Sequence, residues 1–455
     1  MEDWGVMVYI ILIGVLIFVG KALKTRVPFL RRVVMPSALL GGFVGLLLSD
    51  AVIPGSFHVN PDVMVTIVYH MLALGFITLT LKDKQPADNK KKIWSTGMVI
   101  TSTYALQGFI GILMVVLFFG DKSVAAGMLL PLGFGQGPGL ATSFARNWSE
   151  MLTGVEQTSA ALGASYAVIG FLVGGTIGVF LVNLISRRRG TGKPEHNYDD
   201  QSLYKATIEI DTVKEINVID GLTVQVVIIS LIYGLVWLTL FVLNKVLLPL
   251  GDIGETIFGL LIGFNFIIGI FYSLLFKWIL RVTQKKGINV SFAKNDYILS
   301  NLSSLFFNYM IAGAVLTITF GFLKDYGWLL LSITAVGAVS TLGYVWFVTK
   351  RVYTQYNDEY FVGLFGMLTG VASTGIALLK SIDRNLETPV ADELAMGSAT
   401  AITMALPLFG LLMLPGLGYG TENQSLFGYI AMIGCFLYAL TMFIILMVRG
   451  KRRVN

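Results

Sequence analysis

Apolar runs of about twenty residues recur along the whole chain, and each is long enough to cross a hydrocarbon core as a helix. That feature narrows the fold class more than any motif does. Backbone inside lipid has to satisfy its own hydrogen bonds, which leaves helices and closed barrels. The composition agrees with helices: 55% of the 455 residues are hydrophobic and 13% are charged, against about 25% charged in a soluble domain. The net charge of +6 therefore gives no reason to expect nucleic acid as a partner. The basic residues stand at the ends of the apolar runs, where they set orientation in a lipid bilayer. The single cysteine, Cys435, and the scattered His58, His70 and His196 provide no disulfide framework and no metal-ligand cluster. No organic cofactor is expected. The acidic start, Met1 to Trp4, runs straight into apolar sequence, so it reads as the first span and not as a signal peptide.

The spans expected from hydropathy are 6–22, 33–49, 63–81, 96–119 and 159–185, then 222–248, 256–280, 298–323, 328–349, 394–415 and 425–448. Two apolar stretches between them do not read as ordinary spans. Leu130–Ser143 carries Gly133, Gly135, Gly137 and Gly139 at every second position, with Pro138 among them. Gly363–Ala377 carries Gly363, Gly366, Gly370 and Gly375. Glycine at that density disfavours helix. Unwound backbone at membrane depth has to be buried in protein or line a cavity. Both stretches are therefore expected to be re-entrant hairpins, at 125–144 and 360–380.

The basic residues test this. Clusters at Lys21–Arg32, Lys82–Lys92 and Arg187–Arg189 can all be cytoplasmic only if the N-terminus is outside and 125–144 enters and leaves on the outer face. In the second half Lys277–Lys286, Lys350, Arg351, Lys380 and Arg384 are inside, so 360–380 enters and leaves on the cytoplasmic face. The C-terminus, ending in Arg452 and Arg453, is then cytoplasmic. The expected fold is an all-α polytopic membrane protein of two inverted five-helix repeats, each with a glycine-rich re-entrant hairpin, plus one extra C-terminal helix. Residues 1–185 form the first repeat, 186–220 a cytoplasmic linker, 221–415 the second repeat, and 416–455 the extra helix with its basic tail. Within the linker, Thr207–Val213 alternates in the manner of a short strand. Inverted repeats of this kind mark secondary transporters, with the site at the repeat interface.

Broken helices present free N–H groups at one side of the break and free C=O groups at the other. The first suit an anionic substrate, the second a hard cation such as Na⁺. The expected substrate site comprises Gln136, Gly137, Pro138, Gly139, Thr142, Ser373, Thr374, Gly375, Asn308 and Gln107. The expected Na⁺ ligands are Gly133, Gly135, Ser143, Thr369, Gly370, Ser398 and Thr400. Hydroxyls that only recap a broken helix are the competing reading. His70 is expected to pack between helices. No acid or arginine lies in the middle of a span, which favours Na⁺ coupling over proton coupling. Paired catalytic residues are not visible, so an enzyme is not expected.

At these positions the chain resembles the bacterial glutamate:sodium symporter family, which shares a fold with the 2-hydroxycarboxylate carriers. The resemblance rests on Met35–Gly42, Gln107, Gly133–Ala141 and Gly370–Ala377, and continues in order and spacing to about Pro415. It implies a homodimer in the inner membrane, with a scaffold and a mobile transport domain that moves like an elevator and couples glutamate uptake to Na⁺. Ser37 stands where the family often has an acid, and Gln136-Gly-Pro138 where it commonly has His-Gly-Thr. A carrier of a different small organic anion, such as a di- or tricarboxylate, and a channel with paired re-entrant loops are the alternatives.

Overall fold

The computed structural model describes residues 4–31, 34–82, 90–189, 215–251, 254, 258–259, 261–288, 295–383, 386 and 388–451. The expected strand at 207–213 lies outside the described residues. In chain order the helices are α1 (Gly5–Arg26), α2 (Pro28–Arg31), α3 (Ser37–Leu48), α4 (Pro61–Leu81), α5 (Lys90–Phe118), α6 (Val124–Gln136), α7 (Pro138–Asn147) and α8 (Ser159–Arg189). They continue as α9 (Glu215–Leu247), α10 (Asn265–Lys285), α11 (Asp296–Leu316), α12 (Leu323–Val352), α13 (Asn357–Thr369), α14 (Ala372–Lys380), α15 (Val390–Met404), α16 (Leu406–Gly418) and α17 (Gln424–Lys451). The expected linker is partly helical, because α8 runs on to Arg189 and α9 begins at Glu215.

Among the described residues nine single helices are long and apolar enough to cross a membrane, ten spans if the bent pair α15–α16 is taken as one, against eleven in the hydropathy reading. Proline accounts for both differences. Pro36 precedes α3 and has an extended ψ of 140°, so the expected span 33–49 becomes a 12-residue helix. Pro407 stands at the start of α16, and the expected span 394–415 becomes two helices bent by 47° around Ala405.

Close packing separates the chain into two units. The first comprises Met1–Val65, Ala87–Tyr198 and Ile311–Asn455, and the second Thr66–Pro86 and Asp199–Met310. Lipid tails are as apolar as leucine, so helix association in a bilayer depends on backbones that approach closely at small residues. The first unit uses this device repeatedly. A Cβ on Gly111 of α5 would lie 2.0 Å from the Gly127 carbonyl oxygen of α6, and one on Gly20 of α1 would lie 2.5 Å from the Gly41 nitrogen of α3. Its core gathers Val99 and Ala105 (α5), Val182 (α8), Val345 (α12), Phe365 (α13), Leu378 (α14) and Cys435 (α17). The extra C-terminal helix thus belongs to the same core as the second glycine-rich stretch.

The second unit packs Ile77 of α4 with Ile228, Ile232 and Val236 of α9, Leu280 of α10 and Leu299 of α11. Lys277 donates to the Thr80 carbonyl at 3.1 Å and also to the Lys82 carbonyl, closing the end of α4. Lys82 in turn reaches Ser300 Oγ at 3.1 Å. His70 holds the Tyr233 hydroxyl at 2.5 Å, the helix-bridging role expected of it.

Candidate functional site

Helix continues further into the first glycine-rich stretch than its composition suggests. α6 includes Gly133 and Gly135 and stops only at Gln136. A side chain on either glycine would collide with a neighbour: a Cβ on Gly133 would lie 2.6 Å from Tyr166 Cβ, and one on Gly135 2.0 Å from the Tyr104 ring. These two glycines therefore admit neighbouring helices and do not unwind the chain. The break is the single residue Gly137, with φ 87° and ψ 178°, backbone open essentially to glycine alone. Pro138 then starts α7 at a position where its missing N–H costs nothing. The second break is two residues long. Gly370 (φ −145°, ψ −112°) and the extended Val371 separate α13 from α14.

α8 is the ruler against which both breaks are placed. At its start, a Cβ on Gly163 would lie 2.2 Å from the Ala141 carbonyl of α7. One helical turn on, Tyr166 and Ala167 meet Gly133 of α6. A Cβ on Gly170 would lie 2.5 Å from the Thr369 carbonyl and 3.0 Å from the Phe134 ring, so the ends of α6 and α13 meet α8 at one level. Gly174 faces Thr369 and Thr374, and Gly178 faces Leu378 of α14. At the far end Arg189 pairs with Glu359 at 2.7 Å and Asp358 at 2.8 Å, in the first turn of α13. So α6 and α7 lie along the first half of α8, and α13 and α14 along the second. The two breaks meet between them: a Cβ on Gly137 would lie 2.9 Å from Val371 Cγ1. At 13 residues each, α6 and α13 are about 20 Å long, short of the ~30 Å core of a bilayer.

Two helix N-termini, of α7 and α14, and two C-termini, of α6 and α13, converge at this level. The N-termini carry N–H groups without intrahelical partners and the C-termini carry free carbonyls. Several buried polar side chains of these helices have no partner either: Gln136 Nε2 at the first break, Thr142 Oγ1 and Ser143 Oγ in the second turn of α7, Thr374 Oγ1 in the first turn of α14, and Gln107 Oε1 of α5. Thr142 and Gln107 are fully buried, and Ser143 and Thr374 nearly so. Buried polar atoms are almost always paired, and an unpaired one costs about 1–3 kcal/mol. Such atoms beside the two breaks are what a polar ligand would repay. Gln107 is aimed by its own amide, which donates to Thr341 Oγ1 at 2.9 Å and to the Leu368 carbonyl at 3.0 Å.

The remaining expected residues are arranged differently. Gly139 is buried in the first turn of α7, Gly375 packs in α14, and Ser373 is exposed beside the second break. The Gly135 carbonyl accepts from the Tyr104 hydroxyl at 2.7 Å. Thr369 donates to the Phe365 carbonyl at 2.8 Å, Ser398 to Leu394 at 2.8 Å and Thr400 to Gly397 at 2.9 Å, all within their own helices. Asn308 is half-buried in α11 and belongs to the second unit.

Sequence reasoning missed several residues. Tyr104 fixes the end of α6, Tyr166 carries a further buried hydroxyl without a partner, and Thr341 positions Gln107. It also missed the ties that hold α13, namely Arg189 and the Tyr360 hydroxyl donated to buried Glu393. Only Tyr104 left a signal, three residues before Gln107 and so on the same helix face.

The oxygens gathered at the breaks suit Na⁺, which takes carbonyl and hydroxyl ligands, and the helix N-termini suit a carboxylate. Neither a curated protein nor a solved structure matches the chain. A family model described as sodium/glutamate symporter matches residues 4–388, a range that takes in both helix breaks, Gln107 and the whole of α8. The chain belongs to the sodium/glutamate symporter family, a family of membrane transporters.

Proposed function

We propose that this chain is a Na⁺-driven symporter of glutamate or a closely related small organic anion. The observation that carries the proposal is the meeting of Gly137 and Val371, with unpartnered Thr142, Ser143, Thr374 and Gln107 oxygens buried in the helices around it. The substrate carboxylate sits at the N-termini of α7 and α14, close to Gln136, Gly137, Pro138, Gly139 and Thr374. Na⁺ is held by hydroxyl and carbonyl oxygens, with Ser143, Thr369 and Gly370 as first candidates.

In this reading α6–α7 and α13–α14 are re-entrant hairpins from opposite membrane faces and belong to two inverted repeats. Their placement along opposite halves of α8 supports it. Transport follows an elevator cycle, in which a mobile transport domain carries both hairpins and the site, and the protein works as a homodimer in the inner membrane. The N-terminus is then outside and the C-terminus cytoplasmic, on the strength of the basic clusters.

The test is uptake into proteoliposomes under an imposed Na⁺ gradient, screened over amino acids and dicarboxylates. Accumulation of glutamate that depends on Na⁺ and shows counterflow of preloaded substrate is expected. Uptake of no anion under a Na⁺ gradient would falsify the proposal. Flux without counterflow would make the chain a channel.

A further inference from the structure

The last two turns of α10 carry an arrangement that the second unit's packing does not use. Trp278, Arg281, Val282, Gln284 and Lys285 line a surface pocket of about 460 Å³. Trp278, Arg281, Val282 and Lys285 are three, four and seven residues apart, so they share one helix face. Trp278 is 60% exposed, and the exposed Phe271, Leu274 and Leu275 continue the apolar surface up the helix. The two cations are free of carboxylates: among the described residues neither Arg281 nor Lys285 forms an ion pair. Lys277 on the same helix shows the contrast, since it is buried and committed to the α4 carbonyls.

We propose that this pocket binds the head group of an anionic phospholipid. Arg281 and Lys285 hold its phosphate. Trp278 sits at the level of the head groups, where its ring is half apolar and its N–H can donate. The acyl chains lie along Leu274, Leu275 and Phe271. A phosphate dianion free in water would use the cations but leave the exposed apolar surface uncovered, and a zwitterionic lipid would bring its own cation against two others. An anionic lipid satisfies both halves of the surface, as basic pockets at helix ends in membranes do. The inference requires α10 to cross a bilayer and is independent of what is transported.

The test compares the purified full-length protein with phosphatidylglycerol, phosphatidylcholine and inorganic phosphate, read by thermal unfolding and by lipid retention in native mass spectrometry. Phosphatidylglycerol is expected to raise the melting temperature and to be retained, and the other two are not. Each charge removed in Arg281→Gln and Lys285→Gln should weaken binding about five-fold, and the pair about 25-fold. The conservative double variant Arg281→Lys, Lys285→Arg should retain it. Equal binding of phosphatidylglycerol by wild type and the double glutamine variant overturns the proposal, as does equal stabilisation by inorganic phosphate. If the glutamine variants instead lose only a lipid-independent oligomer, the surface is a contact with a second copy and the proposal is wrong. Should the double variant not fold, the two single variants decide the matter by the same readout.

Discussion

Gly137, the only residue between α6 and α7, lies against Val371, the residue just before α14: a Cβ on the glycine would be 2.9 Å from the valine Cγ1. Two constraints therefore act on one atom. The backbone at φ 87°, ψ 178° excludes side chains by itself, at a cost of about 1–3 kcal/mol. The second helix break then occupies the space that a side chain would need.

Gly137→Ala should therefore reach the membrane in near-normal amount and transport poorly. A distortion of that size, expressed at the site, corresponds to a loss of about five-fold to 150-fold in rate or affinity. Adding Val371→Ala should recover part of the loss, because it removes the contact and leaves the backbone strain. Normal initial uptake by Gly137→Ala would separate the first break from the transport cycle.

Gly375 poses a different problem, because its backbone is ordinary helix. A Cβ there would lie 2.3 Å from the Gly363 carbonyl, so α13 and α14 could not stay in contact. Gly375→Ala is expected to abolish Na⁺-dependent uptake and to lower the unfolding temperature in detergent. Gly234→Ala in α9 is the control: nothing lies within 4 Å of its Cβ, and alanine in a helix should stabilise by about 0.5–1 kcal/mol. If both substitutions behave alike, the close approach of α13 and α14 does not matter.

The membrane class, nine of the eleven expected spans and the location of both breaks were legible in the sequence, because hydropathy and glycine spacing are local signals. The extent of each break was not. Gly133 and Gly135 look identical to Gly137 in sequence, yet they serve the approach of Tyr166 and Tyr104. Which role a glycine plays depends on what packs against it, and that partner lies 31 to 33 residues away. Gln107 was legible as an amide in an apolar run. Its orientation was not, because Thr341 and Leu368, which aim it, are more than 230 residues distant. Arg189 reads as one of three terminal arginines, and nothing local distinguishes it as the one that meets α13.

Arg189 supplies the third prediction. Its guanidinium bonds Glu359 and Asp358, and the Glu359 side chain is 7% exposed. Removing the cation strands a nearly buried carboxylate at the start of α13. For a fully buried pair such a loss costs about 3–5 kcal/mol. With the arginine side chain 35% exposed, Arg189→Gln should destabilise less, by about 1–2 kcal/mol. Glu359→Gln should cost less than Arg189→Gln, since it strands no anion. Thermal unfolding of the two single variants and the double variant gives the coupling energy, and a value near zero would show that the pair does not anchor α13.

The hydroxyls at the second break separate two roles within one short stretch. Thr374 Oγ1 is buried without a partner, whereas Thr369 Oγ1 donates to the Phe365 carbonyl of its own helix at 2.8 Å. Valine replaces threonine with little change of shape, so Thr374→Val removes the oxygen and leaves the packing. If that oxygen serves Na⁺ or substrate, its loss takes a ligand away and should raise the half-saturating concentration of one of them about tenfold, the effect of about 1.4 kcal/mol. Thr142→Val should act in the same direction from the first break, where its hydroxyl is also unpartnered. Ser398→Ala loses only a bond to its own helix at Leu394 and a contact to Met367 Sδ at 3.7 Å, and should shift neither constant by more than about two-fold. Thr369→Val is the discriminating case. A hydroxyl that donates its proton to a backbone carbonyl keeps its lone pairs, so it can still coordinate a cation. A rise in the half-saturating Na⁺ concentration with glutamate affinity unchanged places Thr369 on the ion, and no change in either makes its hydroxyl a cap for the end of α13.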